Sequence, residues 1–230
     1  MGYKEVFPKK HTLLVVIHAE SVAQANRNTG VAFANGADGV FLINHALSVR
    51  ELFGIHRALR RKWPKFFIGL NCLGMRSGEM FGIIPKSVSG FWSDDAGIQE
   101  NDPDPVAEAS AAWKIRQERS DWRGIYFGGV AFKYQEKVSD PGRMAQLAMP
   151  YLDVVTTSGD RTGSPPTVGK MCALRASVGD FPIAIASGIT PENVADYLPY
   201  TDCFLVATGV SMSFTELDRE RVALLAKILK

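Results

Sequence analysis

The segment GVFLINHALSVRELFGIHRALRRKWPKFFIGLN (Gly39–Asn71) shows the pattern that decides the fold. An apolar run, GVFLIN, is followed by an amphipathic stretch from Ser48 to Lys62 and then by a second apolar run, FFIGLN. Both runs are continuously apolar rather than alternating, which is typical of parallel strands that are buried on both faces. Ser48 precedes the amphipathic stretch and predicts the start of a helix. The segment therefore predicts a strand, a helix and a second, parallel strand.

The same strand–helix unit recurs along the whole chain. We predict strands at residues 13–19, 39–44, 66–71, 90–95, 124–132, 154–158, 182–187 and 203–208. Helices are predicted at residues 21–35, 48–62, 78–88, 105–118, 141–151, 167–178, 191–198 and 215–229. Eight such units in 230 residues predict an α/β fold, a (β/α)8 TIM barrel, as a single domain over residues 1–230. The alternative is a doubly wound sheet, which usually has a glycine-rich first turn, whereas HAESVAQ (His18–Gln24) has none.

Composition and charge exclude several other classes of protein. Hydrophobic residues make up 46% of the chain and charged residues 22%, which predicts a large core rather than disorder. The formal net charge is +2 and no basic run occurs, so no nucleic-acid partner is indicated. Cys72, Cys172 and Cys203 are far apart, which predicts neither a disulfide framework nor a zinc site. The N-terminal apolar run is too short to span a membrane, and we expect a cytoplasmic protein without membrane contact.

Polar residues that follow the apolar runs are the first candidates for a functional site, because barrels of this type carry it at the carboxyl-terminal ends of the strands. These candidates are His18, Asn44, Asn71, Asp94, Asp95, Lys133, Thr157, Ser187 and Thr208. Asn44 and its neighbour His45 are expected to point to opposite sides of their strand, and we predict that Asn44 points inward. His18 fits either a ligand contact or a satisfied interior position.

Two short loops containing glycine follow the last two predicted strands: ASGIT (Ala186–Thr190) and ATGVS (Ala207–Ser211). Barrels often bind phosphate with the loops after strands seven and eight. Gly188 and Gly209 would let an anion approach the backbone, and a helix starting after Thr190 would present free N–H groups to it. The alternative is that the two glycines only permit a positive φ. The paired occurrence predicts a phosphate site.

Three further features carry candidate chemistry. The loop SGDRTGSPPT (Ser158–Thr167) is either a flap that places Arg161 over a bound anion or an ordinary exposed turn. Lys133, at the predicted end of strand five, could form a Schiff base, act as an acid, hold an anion or remain a solvated surface lysine. Asp94 and Asp95 could supply a general base or a magnesium ligand, or be solvated, and the sequence does not choose between them.

Several of these stretches resemble the BtpA/SgcQ family. VVTTSGDRTGSPPT (residues 154–167) and IASGITPEN (residues 185–193) are similar to that family's TGxxTGxPP and GSG[IV]TxEN loops, and NGADGVFLIN (residues 35–44) is similar to an earlier segment. The resemblance implies a ribulose-phosphate-binding type of barrel. Ile43 and Tyr134 stand where the family has Glu and His, which identifies this chain as a divergent member.

Three classes of function stay open. The first is an enzyme acting on a small phosphorylated metabolite, such as a sugar phosphate or nucleotide, with isomerase, aldolase-type lyase or transferase chemistry. The second is an FMN-binding protein, because the same two loops hold the FMN phosphate in many barrels. The third is a non-catalytic assembly or scaffold factor that keeps the phosphate site. No motif assigns a cofactor, so FMN and a divalent metal both stay open, as does a homo-oligomer.

Overall fold

The computed structural model describes residues 2–119 and 121–230, which form a closed barrel of eight parallel strands. In chain order the strands are β1 Thr12–Ala19, β2 Gly39–Asn44, β3 Phe67–Asn71, β4 Gly90–Ser93, β5 Ile125–Gly129, β6 Val154–Thr157, β7 Ile183–Ile185 and β8 Cys203–Val206. Each strand pairs with the next one along the chain, and β8 pairs with β1. The (β/α)8 barrel predicted from the sequence is therefore confirmed.

Helices connect most of the strands. In chain order they are α1 Tyr3–Val6, α2 Val22–Ala34, α3 Val49–Lys62, α4 Ser77–Ile83, α5 Ala107–Glu118, α6 Pro141–Ala148, α7 Val168–Val178 and α8 Arg219–Ile228. Ser21, Ser48 and Thr167 cap α2, α3 and α7, since each side chain accepts the N–H of the residue three positions later. In the described part of the chain, no helix has the length and apolar character needed to cross a bilayer.

The prediction of an α-helix at residues 191–198 was wrong. Pro191 to Asn193 form turns, and only Val194–Tyr197 form a short 3₁₀ helix. The side chain of Asn193 accepts the N–H of Thr190 at 2.9 Å and donates to the carbonyl of Gly188 at 2.9 Å. These local side-chain bonds offer the backbone an alternative to a helix.

Side chains of the strands alternate between two cores. One set fills the barrel interior and includes Leu14, Val16, Phe41, Ile43, Phe67, Trp92, Phe127, Val154, Ala184 and Leu205. The set one residue out of phase belongs to the core that contains the helices, and includes Leu13, Val15, Val40, Leu42, Phe91, Val155, Ile183 and Phe204. Because side chains alternate along a strand, this phase also decides which residues at the strand ends face the barrel mouth.

The short helix α1, which we did not predict from the sequence, packs against the barrel interior from the amino-terminal end. Tyr3 lies edge-on to Phe127 of β5, and its hydroxyl donates to Oγ1 of Thr12 at 2.9 Å. Phe7 packs on Phe67 of β3 with ring centroids 5.0 Å apart. The carboxyl-terminal end of the barrel is therefore the end available for a site.

A repeated hydrogen-bond arrangement ties the strands in pairs at their amino-terminal ends. The residue just before each even-numbered strand accepts the N–H of a residue in the preceding strand. These acceptors are Asp38, Ser89, Asp153 and Asp202, and the N–H groups belong to Leu13, Ile68, Tyr126 and Ile183. The same four side chains accept hydrogen bonds from Lys9, Arg60, Arg116 and Arg175. This end of the barrel thus repeats four times, once per pair of strands.

His56 makes the stability of the fold sensitive to acid. This residue of α3 is 1% exposed, and its Nε2 has no hydrogen-bond partner among the described residues. Burial, and to a lesser extent the charge of Arg60, lowers the pKa of His56 from 6.5 to about 4. The folded protein therefore keeps His56 neutral while the unfolded chain gains a proton, so stability is lost as the pH falls from 6.5 towards 4. We expect this residue to lower the free energy of unfolding by about 2 kcal/mol between pH 7 and pH 5.

Urea denaturation of the wild type and of His56→Gln at both pH values measures this contribution. Glutamine does not titrate, so the variant should lose about 2 kcal/mol less than the wild type between pH 7 and pH 5. Equal losses in the two proteins would contradict the assignment of the acid sensitivity to His56.

Candidate active site

A cavity of about 240 Å³ lies at the carboxyl-terminal end of the barrel. Its apolar wall comes from interior strand positions, among them Val16, Ile43, Trp92, Ala186 and Leu205. Of the residues predicted from the sequence, six line it: His18, Asp94, Lys133, Ser187, Gly188 and Thr208. The other six do not: Asn44, Asn71, Asp95, Thr157, Arg161 and Gly209. His45, Tyr134, Thr162 and Gly163 also line it and were not predicted.

Asp94 is the carboxyl group that the fold brings to the cavity. It follows β4 in the phase of the barrel interior, whereas the carboxylate of Asp95 accepts the N–H of Gly97 at 2.8 Å and lies outside the cavity wall. Asn71 donates to Oδ1 of Asp94 at 2.9 Å, so it orients the acid without lining the cavity. Burial raises the pKa of Asp94 above 3.8, although Asn71 and Lys133 act in the opposite direction. A carboxyl group with a raised pKa is better suited to proton transfer near neutral pH.

Two histidine rings meet beside this acid. His18 is the penultimate residue of β1 and His45 follows β2, and their ring centroids lie 4.7 Å apart. Burial, then His45 and Lys133, lowers the pKa of His18 from 6.5 to about 4. Burial and the charge of Lys133 also lower the pKa of His45, against the influence of Asp94. Both imidazoles are therefore neutral at pH 7, and each offers one nitrogen that can accept a proton.

The prediction that Asn44 points inward was wrong, and His45 takes that position. Asn44 accepts the N–H of Leu73 at 2.8 Å and donates to the carbonyl of Leu47 at 3.0 Å. Its side chain thus fixes the loops after β2 and β3. His45 is two residues beyond Ile43 of the barrel interior, so the alternation along the strand carries it to the mouth.

Lys133 lies four residues beyond the end of β5, on a tight loop rather than at a strand end as predicted. Its neighbours Ala131 and Tyr134 have φ values of 47° and 66°, in the left-handed region that side chains other than glycine rarely adopt. The backbone N–H of Lys133 donates to Oγ of Ser158 at 2.8 Å. Within the described residues Lys133 forms no ion pair. Uncommon backbone conformations of this kind cluster at functional sites.

A second lysine and a threonine form hydrogen bonds to the backbone of the loop that carries Lys133. The amine of Lys170 in α7 donates to the carbonyls of Ala131 and, at 2.8 Å, Ser158. Burial lowers the pKa of Lys170 from 10.5 to about 8. Thr157 donates to the carbonyl of Ala131 at 3.3 Å, so it supports the loop instead of lining the cavity. These contacts fix the backbone of the loop on which Lys133 lies.

The two glycines of the predicted phosphate loops are required by close backbone packing. Gly188 has a φ of +67°, and a Cβ added there would lie 2.1 Å from the nitrogen of Pro165. A Cβ on Gly209 would lie 1.9 Å from the carbonyl oxygen of Ile189. Since residues 191–198 form no α-helix, the expected helix N-terminus is also absent from this site.

Backbone donors nevertheless remain in both loops. Among the hydrogen bonds of the described residues, none uses the N–H groups of Ser187, Gly188, Thr208 or Gly209. Thr208 is also exposed, and its hydroxyl has no partner in that same part of the chain. Consecutive free N–H groups form concavities that suit anions.

The loop after β6 is tied to its neighbours near its tip. The hydroxyls of Thr162 and Tyr134 are hydrogen-bonded at 3.1 Å, and Gly163 donates its N–H to Oγ of Ser187 at 3.1 Å. Thr162 and Gly163 consequently line the cavity. Arg161 is exposed and lies outside the cavity wall, which is the position expected of an ordinary exposed turn.

Two polar atoms of the cavity wall have no hydrogen-bond partner among the described residues. They are Nε1 of Trp92, a residue that is 4% exposed, and Nδ1 of His18. Buried polar groups are ordinarily paired, which makes both atoms candidates for ligand contacts. Over the same residues, no group of three or more His, Cys, Asp or Glu side chains could hold a metal ion.

Solved structures share this TIM-barrel fold at low sequence identity. Phosphoribosyl anthranilate isomerase from Thermus thermophilus is 16% identical, with 95% of this chain and 98% of that chain covered and a TM-score of 0.61. (S)-3-O-geranylgeranylglyceryl phosphate synthase from Thermoplasma acidophilum, solved with sn-glycerol-1-phosphate, is 15% identical, with coverages of 100% and 99% and a TM-score of 0.66. Tryptophan synthase subunit alpha from Legionella pneumophila is 11% identical, with coverages of 98% and 95% and a TM-score of 0.68. These similarities establish the fold alone.

Two archaeal proteins are more similar to this chain in sequence than the solved structures described above. No family model matches the chain. An uncharacterised protein of Pyrococcus abyssi is 31% identical over 187 residues, which cover 65% of this chain and 71% of that protein. The chain therefore belongs to the same family as this archaeal protein. An uncharacterised protein of Pyrococcus horikoshii is 31% identical over 81 residues, which cover 34% of this chain and 31% of that protein.

Proposed function

We propose that this chain is a divergent BtpA-like enzyme that acts on a small phosphorylated metabolite, a sugar phosphate or a nucleotide. The observation that carries the proposal is that one cavity combines Asp94 and Lys133 with Ser187, Gly188 and Thr208. The free N–H groups of the loops after β7 and β8 would hold the phosphate. Two structural neighbours lend support, because one is named as a phosphoribosyl anthranilate isomerase and the other was solved with glycerol-1-phosphate.

The remaining wall residues suit proton transfer next to a carbonyl group. Asp94, whose pKa is raised, and the neutral imidazoles of His18 and His45 are all groups that can accept a proton from a substrate. The cation of Lys133 would stabilise negative charge that develops on a substrate oxygen, or its amine would form a Schiff base. Isomerase and aldolase-type lyase reactions both use such a set of groups.

Thr208→Asp is expected to weaken the binding of ribose 5-phosphate at least tenfold, whereas Thr208→Asn should bind like the wild type. Thr208 is exposed, so either side chain fits, but only aspartate brings a negative charge to the anion site. Two unit charges 4 Å apart repel by about 4 kcal/mol at an effective dielectric constant of 20, and exposure to solvent reduces this. A thermal-shift titration measures the effect, because a ligand at 100 times its dissociation constant stabilises the folded state by about 2.7 kcal/mol.

Inorganic phosphate, nucleoside monophosphates and FMN belong in the same titration. Equal weakening by the aspartate and asparagine variants would contradict the phosphate position. No shift with any of these ligands, in a folded protein, would overturn the enzyme proposal and favour a non-catalytic assembly factor. A shift with FMN alone, in a protein that turns yellow, would favour the flavin-binding alternative.

A further inference from the structure

Phe214 is an exposed aromatic ring seated on the cavity mouth. Its side chain is 61% exposed, yet its ring centroid lies 4.1 Å from that of His18 and 5.0 Å from that of His45. Both histidines line the cavity. Single exposed apolar residues are ordinary on protein surfaces and need no explanation. A large exposed ring held against two wall residues of the candidate site is a different case, because any ligand that fills the cavity and protrudes from it passes close to that ring.

Buried amides of α2 fix the turn that carries Phe214. The amides of Gln24 and Asn28 donate to the carbonyl of Thr215 at 2.6 and 2.7 Å, and Asn28 also accepts the N–H of Leu217 at 3.0 Å. Gln24 is 4% exposed and Asn28 is 1% exposed. Burying such amides is costly unless they are paired. Two buried polar side chains thus hold one surface turn, and Phe214 is placed over the mouth before any ligand binds.

A second exposed ring lies across the mouth. Phe214 belongs to the loop after β8 but packs on His18 of β1. Because β1 and β5 are four strands apart in the closed ring of eight, the loop after β5 lies on the opposite side of the barrel from His18. Tyr134, on the loop after β5, lines the cavity and is 77% exposed, and its hydroxyl is held by Thr162. The opening therefore has aromatic rings on two sides, above a wall that carries the charged and polar groups.

We propose that Phe214 is a stacking platform that selects phosphorylated ligands carrying a flat aromatic ring, as nucleotides do, over sugar phosphates without one. This inference rests on the proposed function, since phosphate bound by the loops after β7 and β8 would direct the rest of the ligand towards the mouth. Stacking of a base on an aromatic side chain is tolerant of base identity. We expect it to raise affinity about tenfold, equivalent to about 1.4 kcal/mol.

Calorimetric titration with matched ligands tests this inference. The ligands are adenosine, guanosine, cytidine and uridine 5′-monophosphate, with ribose 5-phosphate as the partner that lacks a ring. The proteins are the wild type, Phe214→Ala, Phe214→Leu and Met212→Ala. Met212 is a matched control because it lies on the same turn and is 72% exposed. Leucine retains apolar contact with His18 but removes the aromatic ring, which guards against a local rearrangement in the alanine variant.

At least one nucleotide should bind the wild type about tenfold more tightly than ribose 5-phosphate does. That advantage should fall to about twofold or less in both Phe214 variants and persist in Met212→Ala, while ribose 5-phosphate binds all four proteins alike. Equal affinities for nucleotides and ribose 5-phosphate in the wild type would overturn the inference, and so would an advantage that survives in the Phe214 variants. In either case the binding of ribose 5-phosphate would still support the proposed function. Binding of none of the five ligands would overturn both.

Discussion

Replacing Asp202 by alanine is expected to lower the free energy of unfolding by about 2–3 kcal/mol. Oδ2 of Asp202 accepts hydrogen bonds from Arg175 at 2.5 Å and from the backbone N–H of Ile183 at 2.9 Å. Alanine removes both bonds and leaves the guanidinium of Arg175, whose side chain is 23% exposed, without its counter-charge. Removing one partner of a fully buried pair costs about 3–5 kcal/mol, and the partial exposure of both partners reduces that loss here.

Urea denaturation with three companion variants makes the comparison specific. Asp202→Asn keeps an acceptor oxygen for Ile183 and should lose less stability than the alanine variant. Asp153→Ala should resemble Asp202→Ala, because Asp153 occupies the equivalent position in the fourfold repeat. Asp121→Ala removes a carboxylate that pairs with Arg119 at the exposed surface, and should leave the urea midpoint unchanged. If all three alanine variants unfold at the same urea concentration, the repeat does not stabilise the barrel as inferred.

The fold could be predicted because the strands of a parallel barrel are buried on both faces and therefore read as continuous apolar runs. The strand Gly39–Asn44 was predicted residue for residue. The segment after β7 could not be predicted in the same way. Thr190 followed by Pro191 has the features of a helix start, but the side chain of Asn193 accepts the N–H of Thr190 and donates to the carbonyl of Gly188. Such competition between side chain and backbone depends on a geometry that the residue pattern does not show.

The choice between neighbouring polar residues at the strand ends depends on which side chains of each strand face the barrel interior. His45 lies two residues beyond Ile43, and Asp94 two beyond Trp92, so the phase of the strand interior would have selected both over their neighbours Asn44 and Asp95. The phase itself was the missing information, because runs that are apolar on both faces do not reveal which set faces the barrel interior.

Other features of the site depend on contacts between distant loops. Lys170 donates to the carbonyl of Ala131, which is 39 positions away in the chain, and no local sequence pattern predicts that contact. Gly188 is needed because Pro165 packs against it, which only the folded chain shows. A glycine in a loop indicates that another group packs closely against its backbone, but the sequence does not show whether that group is another loop or a ligand. The proposed anion site therefore rests on the free N–H groups of the two loops and not on the presence of glycine in them.

Lys133→Met is expected to reduce turnover of a phosphorylated substrate by about a hundredfold to a thousandfold, with a much smaller effect on its binding. Lys133 lines the cavity and forms no ion pair within the described residues, so its charge is available to a substrate oxygen. Lys137→Met is the matched control, because Lys137 is an exposed lysine on the same loop and lies outside this cavity wall. Turnover of the ligands found by titration can be followed by NMR.

The same variant has a readout that needs no substrate. The charge of Lys133 lowers the pKa of His18, His45 and Asp94, so methionine should raise all three pKa values, with that of His18 moving up from about 4. Lys133→Arg should leave them in place, because it keeps the charge, while it removes the amine needed for a Schiff base. Turnover retained by arginine would indicate an electrostatic role, and turnover lost together with borohydride trapping of the wild type would indicate a covalent one. Histidine pKa values that do not move in Lys133→Met would show that the ammonium does not face the cavity, and Lys133 would then lose its place in the proposed chemistry.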